Sequence, residues 1–363
     1  MNDFITFLKN QFVLKLLNTI IVENQHINLK IILASYQPLI RKLNFMPNFK
    51  LFISLFILLF HSVCSSQSFK FVAYADMPYS IPNDYPRYEQ LIKEINKENP
   101  SFSFFLGDTK SGATPCTNEY NQIVKNYFNQ FNNALIYSIG DNEWTDCHRK
   151  PAGSYDTLER LDNLRKFFFA NDSSFGKNPI RLVRQADVMK DHALYVENSY
   201  WVKNGFLFVS LHIPSSNNNF ERNLASVQEY FKRNEANLAW IKHTFDLAKK
   251  ENMKGIILGF QADMFFSQQM AFELSSGFRD TIRTLTEQAE SFQKPVLLLN
   301  GDSHRLVIDQ PLKTTNTKHV LENVIRLQTM GDNQVQAVVV EVDETKEQPF
   351  IFRPLITKST RPY

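Results

Sequence analysis

Acidic side chains recur at one place in this chain, directly after short apolar runs that read as β-strands. Residues 69–75 lead into Asp76, residues 101–106 into Gly107-Asp108, residues 134–139 into Gly140-Asp141-Asn142, and residues 295–300 into Gly301-Asp302. Between the first three runs lie stretches of helical spacing. Residues 85–99 carry Leu91, Ile92 and Ile95 and are closed by Pro100; residues 118–131 carry Ile123, Val124, Tyr127, Phe128 and Phe131. This alternation predicts a βαβαβ unit with parallel strands. Loops at the carboxyl ends of such strands converge on the ligand site of open α/β sheets. Carboxylates gathered there repel one another unless a cation binds among them, so the pattern predicts a metal site.

Farther along, residues 155–169 are helical in spacing, with Leu158, Leu161, Leu164 and Phe168. Two apolar runs, 193–202 and 206–212, flank Lys203-Asn204-Gly205, and Asn-Gly between such runs predicts a hairpin. A polar loop at 215–219 precedes a predicted helix at 234–250, a strand at 255–259 leading to Gln261, and a helix over 272–291. Strand-like segments follow at 324–328, 335–342 and 350–353. No linker divides residues 67–363. They are expected to form one α/β domain of two mixed sheets packed as a sandwich and flanked by helices.

The chain has 363 residues, 43% of them hydrophobic and 21% charged, which is globular composition. The net charge of +3 resides at the front, where Lys9, Lys15, Lys30, Arg41, Lys42 and Lys50 outnumber Asp3 and Glu23. The remainder is near neutral, which argues against a nucleic-acid-binding surface. From Met46 the sequence runs through a short basic start, an apolar stretch at 51–60 interrupted by Ser54, and small residues around 62–66. This is the order of a secretory signal peptide, and the apolar stretch is shorter than the roughly twenty residues of a spanning helix. Residues 46–66 are therefore expected to be a signal peptide, or a membrane anchor if uncleaved, and residues 1–45 an extension upstream of the true start. The expected location is periplasmic or secreted, with membrane contact limited to this N-terminal segment. Loss of Cys64 with the signal leaves Cys116 and Cys147, either bridged in an oxidising compartment or as two free thiols.

The ordered set of motifs resembles the calcineurin-like metallophosphoesterases, whose pattern is Asp-x-His, Gly-Asp, Gly-Asn-His-Glu/Asp, a lone His, then Gly-His-x-His. Here the corresponding residues are Asp76-Met-Pro78, Gly107-Asp108, Gly140-Asp141-Asn142-Glu143, Gln261 and Gly301-Asp302-Ser303-His304, spread over residues 69–309. Residues 140–148, Gly-Asp-Asn-Glu-Trp-Thr-Asp-Cys-His, are similar to an exported subgroup of that family. The resemblance implies two metals bridged by Asp108, the first held by Asp76 and His304, the second by Asn142, Gln261 and Asp302. It implies a hydrolase of phosphate mono- or diesters acting through metal-activated water.

Three family histidines are replaced, by Pro78, Gln261 and Asp302. The resulting oxygen-rich donors favour manganese or magnesium over iron or zinc. Glu143 stands in the notional place of the histidine that assists the leaving group, and His148, six residues after Asn142, is the candidate replacement as general acid, or else a surface histidine paired with Asp146. His212 ends a predicted strand, as a structural or substrate-contacting residue; Lys110 and Arg149 sit in motif loops, either contacting phosphate or as surface charges. Trp144 either covers the cleft or packs against its loop. No Gly-x-Ser-x-Gly elbow, phosphate loop or dinucleotide fingerprint occurs. The expected ligand is a small phosphorylated substrate. Two other readings stand beside the esterase: a catalytically silent phosphate- or polyanion-binding relative, to which the histidine replacements point, and a hydrolase of lipid headgroups.

Overall fold

The computed structural model describes residues 68–266 and 273–357, all within one compact unit, Ser66–Tyr363. The signal-peptide and upstream-extension readings, Cys64, and the start of the helix expected over 272–291 lie outside the described residues. Among the described residues, no helix is long and apolar enough to cross a membrane.

The chain alternates as expected through β1 (Phe69–Tyr74), α1 (Tyr85–Glu98), β2 (Phe102–Phe105), α2 (Asn118–Phe128), β3 (Ala134–Tyr137) and α3 (Thr157–Phe168). Thr117 and Asp156 cap α2 and α3, each side chain accepting from a first-turn amide. Then follow β4 (Val183–Arg184), β5 (Ser199–Lys203), β6 (Phe206–Ser210), α4 (Leu224–Lys250), β7 (Gly255–Gly259), α5 (Arg279–Phe292), β8 (Val296–Asn300), β9 (Val307–Asp309), β10 (Val324–Gln328), β11 (Ala337–Val342) and β12 (Phe350–Leu355).

Two mixed sheets result. One has the order β12-β11-β1-β2-β3, the other β4-β5-β6-β7-β8-β10-β9. Within the first, β1, β2 and β3 are parallel; within the second, β6, β7, β8 and β10 are parallel. Alternation along each strand sends one set of side chains between the sheets and the other toward helices. In β1, Phe71 and Ala73 join the inter-sheet core with Phe102, Phe104, Trp201, Phe208, Leu297 and Val338. Val72 and Tyr74 face the opposite way, with Leu91 of α1, Val124 of α2 and Leu161 of α3. On the far side, Trp240 and Phe245 of α4 and Leu285 of α5 cover Leu207, Leu258 and Leu298.

Three boundaries differ from expectation. The predicted hairpin forms, Asn204 (φ 50°) and Gly205 (φ 82°) making the turn, but its first strand begins at Ser199 rather than 193. Helix α4 begins at Leu224, ten residues before its predicted start, because its front turns bury mainly polar side chains, Ser226, Arg233 and Asn234, beside the aromatic Tyr230. Helix α5 spans Arg279–Phe292.

Candidate functional site

Each of the two parallel strand sets delivers its residues from the carboxyl end. Asp76, Asp108 and Asp141 follow β1, β2 and β3; His212, Gln261 and Asp302 follow β6, β7 and β8. The seam between the two sets is tight. A Cβ on Gly107 would lie 2.8 Å from Gln261 Cβ and 2.9 Å from Gly140 Cα, so no side chain fits there. Asp76, Asp108, Asp302 and His304 all have left-handed backbones, φ 56°, 61°, 76° and 57°. That conformation is uncommon for residues other than glycine and concentrates where surrounding structure enforces it, as at functional sites.

The strand-end acids meet at the seam. Asp302 N donates to Asp76 Oδ2 at 2.8 Å. His304 Nε2 stands 3.9 Å from Asp76 Oδ1, its side chain 35% exposed. Asp108 Oδ2 accepts from Asn142 Nδ2 at 2.8 Å, from Gln261 Nε2 at 3.2 Å and from the Tyr79 hydroxyl at 2.8 Å. Burial raises the Asp76 and Asp108 carboxyls well above the usual range. Repulsion adds to it, chiefly from Asp302 at Asp76 and from Asp141 at Asp108. Asp141 and Asp302 are each pushed up to about 6, first by burial; Asp141 is the strongest charge acting on Asp302.

Two ligand expectations are corrected. Gln261 Oε1 accepts from Ser215 N at 2.6 Å, so the carboxamide turns its NH2, not its oxygen, toward Asp108. Asn142 likewise presents NH2 to Asp108, while its oxygen lies on the Gly112 side. The carboxylate of that loop that faces Asp108 and Asp302 belongs to Asp141. Matched one for one to Gly-Asn-His-Glu/Asp, residues 140–143 put Asp141 at the pattern's asparagine, so the expectation at Asn142 is one residue out of register. Tyr79 is the second residue that the motif reading missed.

The remaining candidates divide. Glu143 is buried at the base of the loop; Oε1 accepts from Thr109 N and the Tyr137 hydroxyl, both at 2.9 Å, while Oε2 has no partner and lies beside Asp108 Oδ1 around Gly140. Trp144 is fully buried and packs instead of covering the mouth. His148 is exposed, with Nδ1 bonded to Thr145 O at 2.7 Å; Asp146 pairs with Arg149 at 2.7 Å instead. Arg149 Nη1 and Asn142 Oδ1 both line the space around Gly112, which puts Arg149 on the rim of the cluster. Cys116 and Cys147 form a disulfide with a Cα separation of 5.8 Å, tying the loops after β2 and β3 together.

Lys110 and His212 do not reach a substrate. Lys110 is 2% exposed, with Nζ donating to Asn142 O at 2.5 Å, and burial lowers its ammonium's pKa. His212 is 1% exposed beneath Trp144; Nδ1 bonds Glu197 at 3.0 Å, and burial takes the ring down to about 4, so it is neutral. For His212 this is the structural alternative; for Lys110 it is neither a phosphate contact nor a surface charge but a buried ammonium.

A turn from the second sheet reaches over this cluster. Ser216, Asn217, Asn218 and Asn219 are consecutively left-handed, φ between 50° and 63°. Such a run costs about 1–2 kcal/mol per ordinary L-residue, less for asparagine. Fully buried Arg233 of α4 holds it, donating to Asn218 Oδ1 at 2.5 Å and Asn218 O at 3.0 Å. The exposed Ser216 thereby places its hydroxyl 2.7 Å from Asp141 Oδ2 and 3.3 Å from Asp146 Oδ1.

Two mixed sheets in a helix-flanked sandwich, with acids at the carboxyl ends of both parallel sets, settle the architecture. In fold the chain resembles the calcineurin-like metallophosphoesterases. Neither a family model nor a curated protein matches its sequence. Among solved structures, a dimetal phosphatase from Danio rerio is 11% identical, with a TM-score of 0.47 over 78% of this chain and 98% of its own. GAP50, the anchor in the inner membrane complex of Plasmodium, is 12% identical, with a TM-score of 0.46 over 80% and 90%. Purple acid phosphatase PPD1 from yellow lupin (Lupinus luteus) seeds is 12% identical, with a TM-score of 0.43 over 80% and 54%.

Among the described residues, no three Asp, Glu, His or Cys side chains already stand as a cage that would hold an ion. The donor chemistry fits a hard divalent cation on one side of Asp108. There the charge of Asp141 acts on Asp302, those of Asp146 and Glu143 act on Asp141, and Glu143 Oε2 is buried without a partner. On the Asp76 side the fit is poorer: Pro78 offers no donor, and the Tyr79 hydroxyl lies between Asp108 and Asp76.

Proposed function

We propose that this chain is an exported, metal-dependent hydrolase of phosphate mono- or diesters. The observation that supports this reading is the set of four acids, Asp76, Asp108, Asp141 and Asp302, brought together from the strand ends of both sheets, with pKa values raised first by burial and then by neighbouring carboxylates. Negative charge concentrated at a strand-end cleft is what a divalent cation would neutralise. Asp141, Asp302 and Asp108 would hold it, with manganese or magnesium preferred by the oxygen donors. Bound there, a cation polarises a phosphoryl oxygen and lowers the pKa of bound water.

The chain's own residues supply the rest. Arg149, exposed on the rim and oriented by Asp146, is placed to pair with a substrate oxygen as charge builds in an in-line displacement. His148 is fixed through Nδ1 by Thr145 O, which leaves Nε2 as the nitrogen for proton transfer to a leaving group at the mouth. Ser216 extends a hydroxyl over Asp141, and Arg233 positions the turn that carries it. The disulfide between the β2 and β3 loops is consistent with an oxidising, extracytoplasmic location.

One observation favours a second reading, a catalytically silent relative that retains the fold: the three donors on Asp108 Oδ2 leave that oxygen saturated. Hydrolysis of aryl phosphate mono- and diesters with manganese, magnesium, zinc or chelator separates the two. The esterase predicts metal-dependent turnover that Asp108→Ala abolishes. No turnover with any metal would overturn it in favour of the silent relative.

A further inference from the structure

The esterase reading assigns no part to Tyr79, although its hydroxyl contacts two of the clustered acids. It donates to Asp108 Oδ2 at 2.8 Å, accepts from Asn142 Nδ2 at 2.9 Å, and stands 3.5 Å from Asp76 Oδ1. The edge of its ring meets His304, with centroids 5.2 Å apart. The hydroxyl therefore lies among Asp76, Asp108 and His304, the residues that would surround one ion of a pair. Together with the two carboxamides it brings three donors to Asp108 Oδ2. A carboxylate oxygen offers about two lone pairs, so that oxygen has none left to share with an ion.

The other half of the cluster is unlike this. Asp141 Oδ2 accepts from the Ser216 hydroxyl, Asp302 Oδ2 from Asp263 N at 3.0 Å and Asp108 Oδ1 from Asn142 N at 3.2 Å, while the buried Glu143 Oε2 beside Asp108 Oδ1 has no partner. A carboxylate offers about four lone pairs, so these acids keep oxygen lone pairs for a cation on this side, whereas the phenol side of Asp108 is filled.

We infer that the Tyr79 hydroxyl takes the place of one cation, so that the chain binds a single divalent ion on the Asp141 and Asp302 side of Asp108. This rests on the reading that the cluster binds metal at all. Asp108 then accepts the Tyr79 proton donor where a bridging carboxylate would meet a second ion. Pro78, which supplies no donor, leaves that half one ligand short of the set that would expel the phenol.

The test is stoichiometry, read without any assay of activity. The full chain is titrated with manganese by calorimetry, and the paramagnetic resonance of the bound ion is recorded. The expected result is one ion per chain with an uncoupled signal. Tyr79→Phe, which removes only the hydroxyl, and Tyr79→Ala, which also clears the ring, are expected to admit a second ion, with the spin coupling of two ions sharing Asp108. Circular dichroism verifies that each variant is folded. Two coupled ions in the unaltered chain would overturn the inference and leave the metal reading intact. One ion in all three proteins would overturn the role given to Tyr79. No binding by any of them would overturn the metal reading, and the inference with it.

Discussion

The burial of Asp141 makes the stability of this protein depend on pH in an unusual direction. Its carboxyl titrates at about 6 in the folded chain against an ordinary value of 3.8. The folded state holds that proton more tightly than the unfolded state, so stability is full below pH 4 and falls as pH rises through 6. The difference corresponds to about 3 kcal/mol at neutral pH and above. Asp302, also at about 6, acts in the same direction, but the two share neighbours and their effects do not add. Asp141→Asn removes the charge and keeps a side-chain oxygen for Ser216. In chelator at pH 8 the variant is expected to be more stable by up to about 3 kcal/mol, a gain of roughly 5 °C in melting temperature for a domain of this size. At pH 4 the gain should vanish. Manganese should stabilise the unaltered chain more at pH 8 than at pH 5, and more than it stabilises Asp141→Asn, because cation entry releases the protons that hold the cluster together at low pH. Differential scanning calorimetry across this range is the assay. A melting temperature in chelator that does not fall between pH 4 and pH 8, or a variant destabilised equally at both, would refute the reasoning.

Two further outcomes follow from named contacts. The Cys116–Cys147 bridge closes a separation of 31 residues, and reducing it is expected to cost about 4 kcal/mol on the chain-entropy account. A urea midpoint insensitive to reductant would contradict the bridge. Arg233→Ala should destabilise by roughly 3–5 kcal/mol, because Glu229 and the Asn218 carbonyl lose a buried charge partner, and should speed amide exchange at 216–219. A change below about 1 kcal/mol by denaturant titration, with exchange unaltered, would show that the arginine does not hold the left-handed turn.

How far the sequence reveals this arrangement depends on the range over which each feature is determined. The strands leading to Asp76, Asp108, Asp141 and Asp302 are legible because short, continuous apolar runs and a closing glycine or aspartate are local signals. The Asn204-Gly205 hairpin is legible for the same reason. Strand partnership is not local: β11 pairs with β1 across more than two hundred residues, and β10 lies between β8 and β9. The front of α4 escapes because its buried face is polar there, carrying Ser226, Arg233, Asn234 and Asn237, whose partners come from distant loops. At the site the sequence identifies which loops contribute acids but not which residue of a loop turns inward. Asp141 and Asn142 are adjacent polar residues of one turn, and Tyr79 lies one residue beyond the proline where the family pattern places its histidine.

Binding and fold closure use the same contacts here. Asp76, Asp108 and Asp141 belong to one sheet, while Gln261, Asp302 and Ser216 belong to the other. Asp302 N to Asp76, Gln261 Nε2 to Asp108 and the Ser216 hydroxyl to Asp141 are hydrogen bonds across the seam. Ser138 adds a fourth, donating to Leu211 O at 2.9 Å. With the carboxyls protonated these bonds join the sheets without opposing charge. With the carboxyls ionised, the same atoms repel across the junction they close, and the inter-sheet core, anchored by Phe71, Phe104 and Phe208, must hold against them. A cation held by Asp141 and Asp302 would offset that repulsion, because the two carboxylates come from different sheets. On the proposed reading the ion would then also join the two layers, and its effect should appear in stability as well as in turnover.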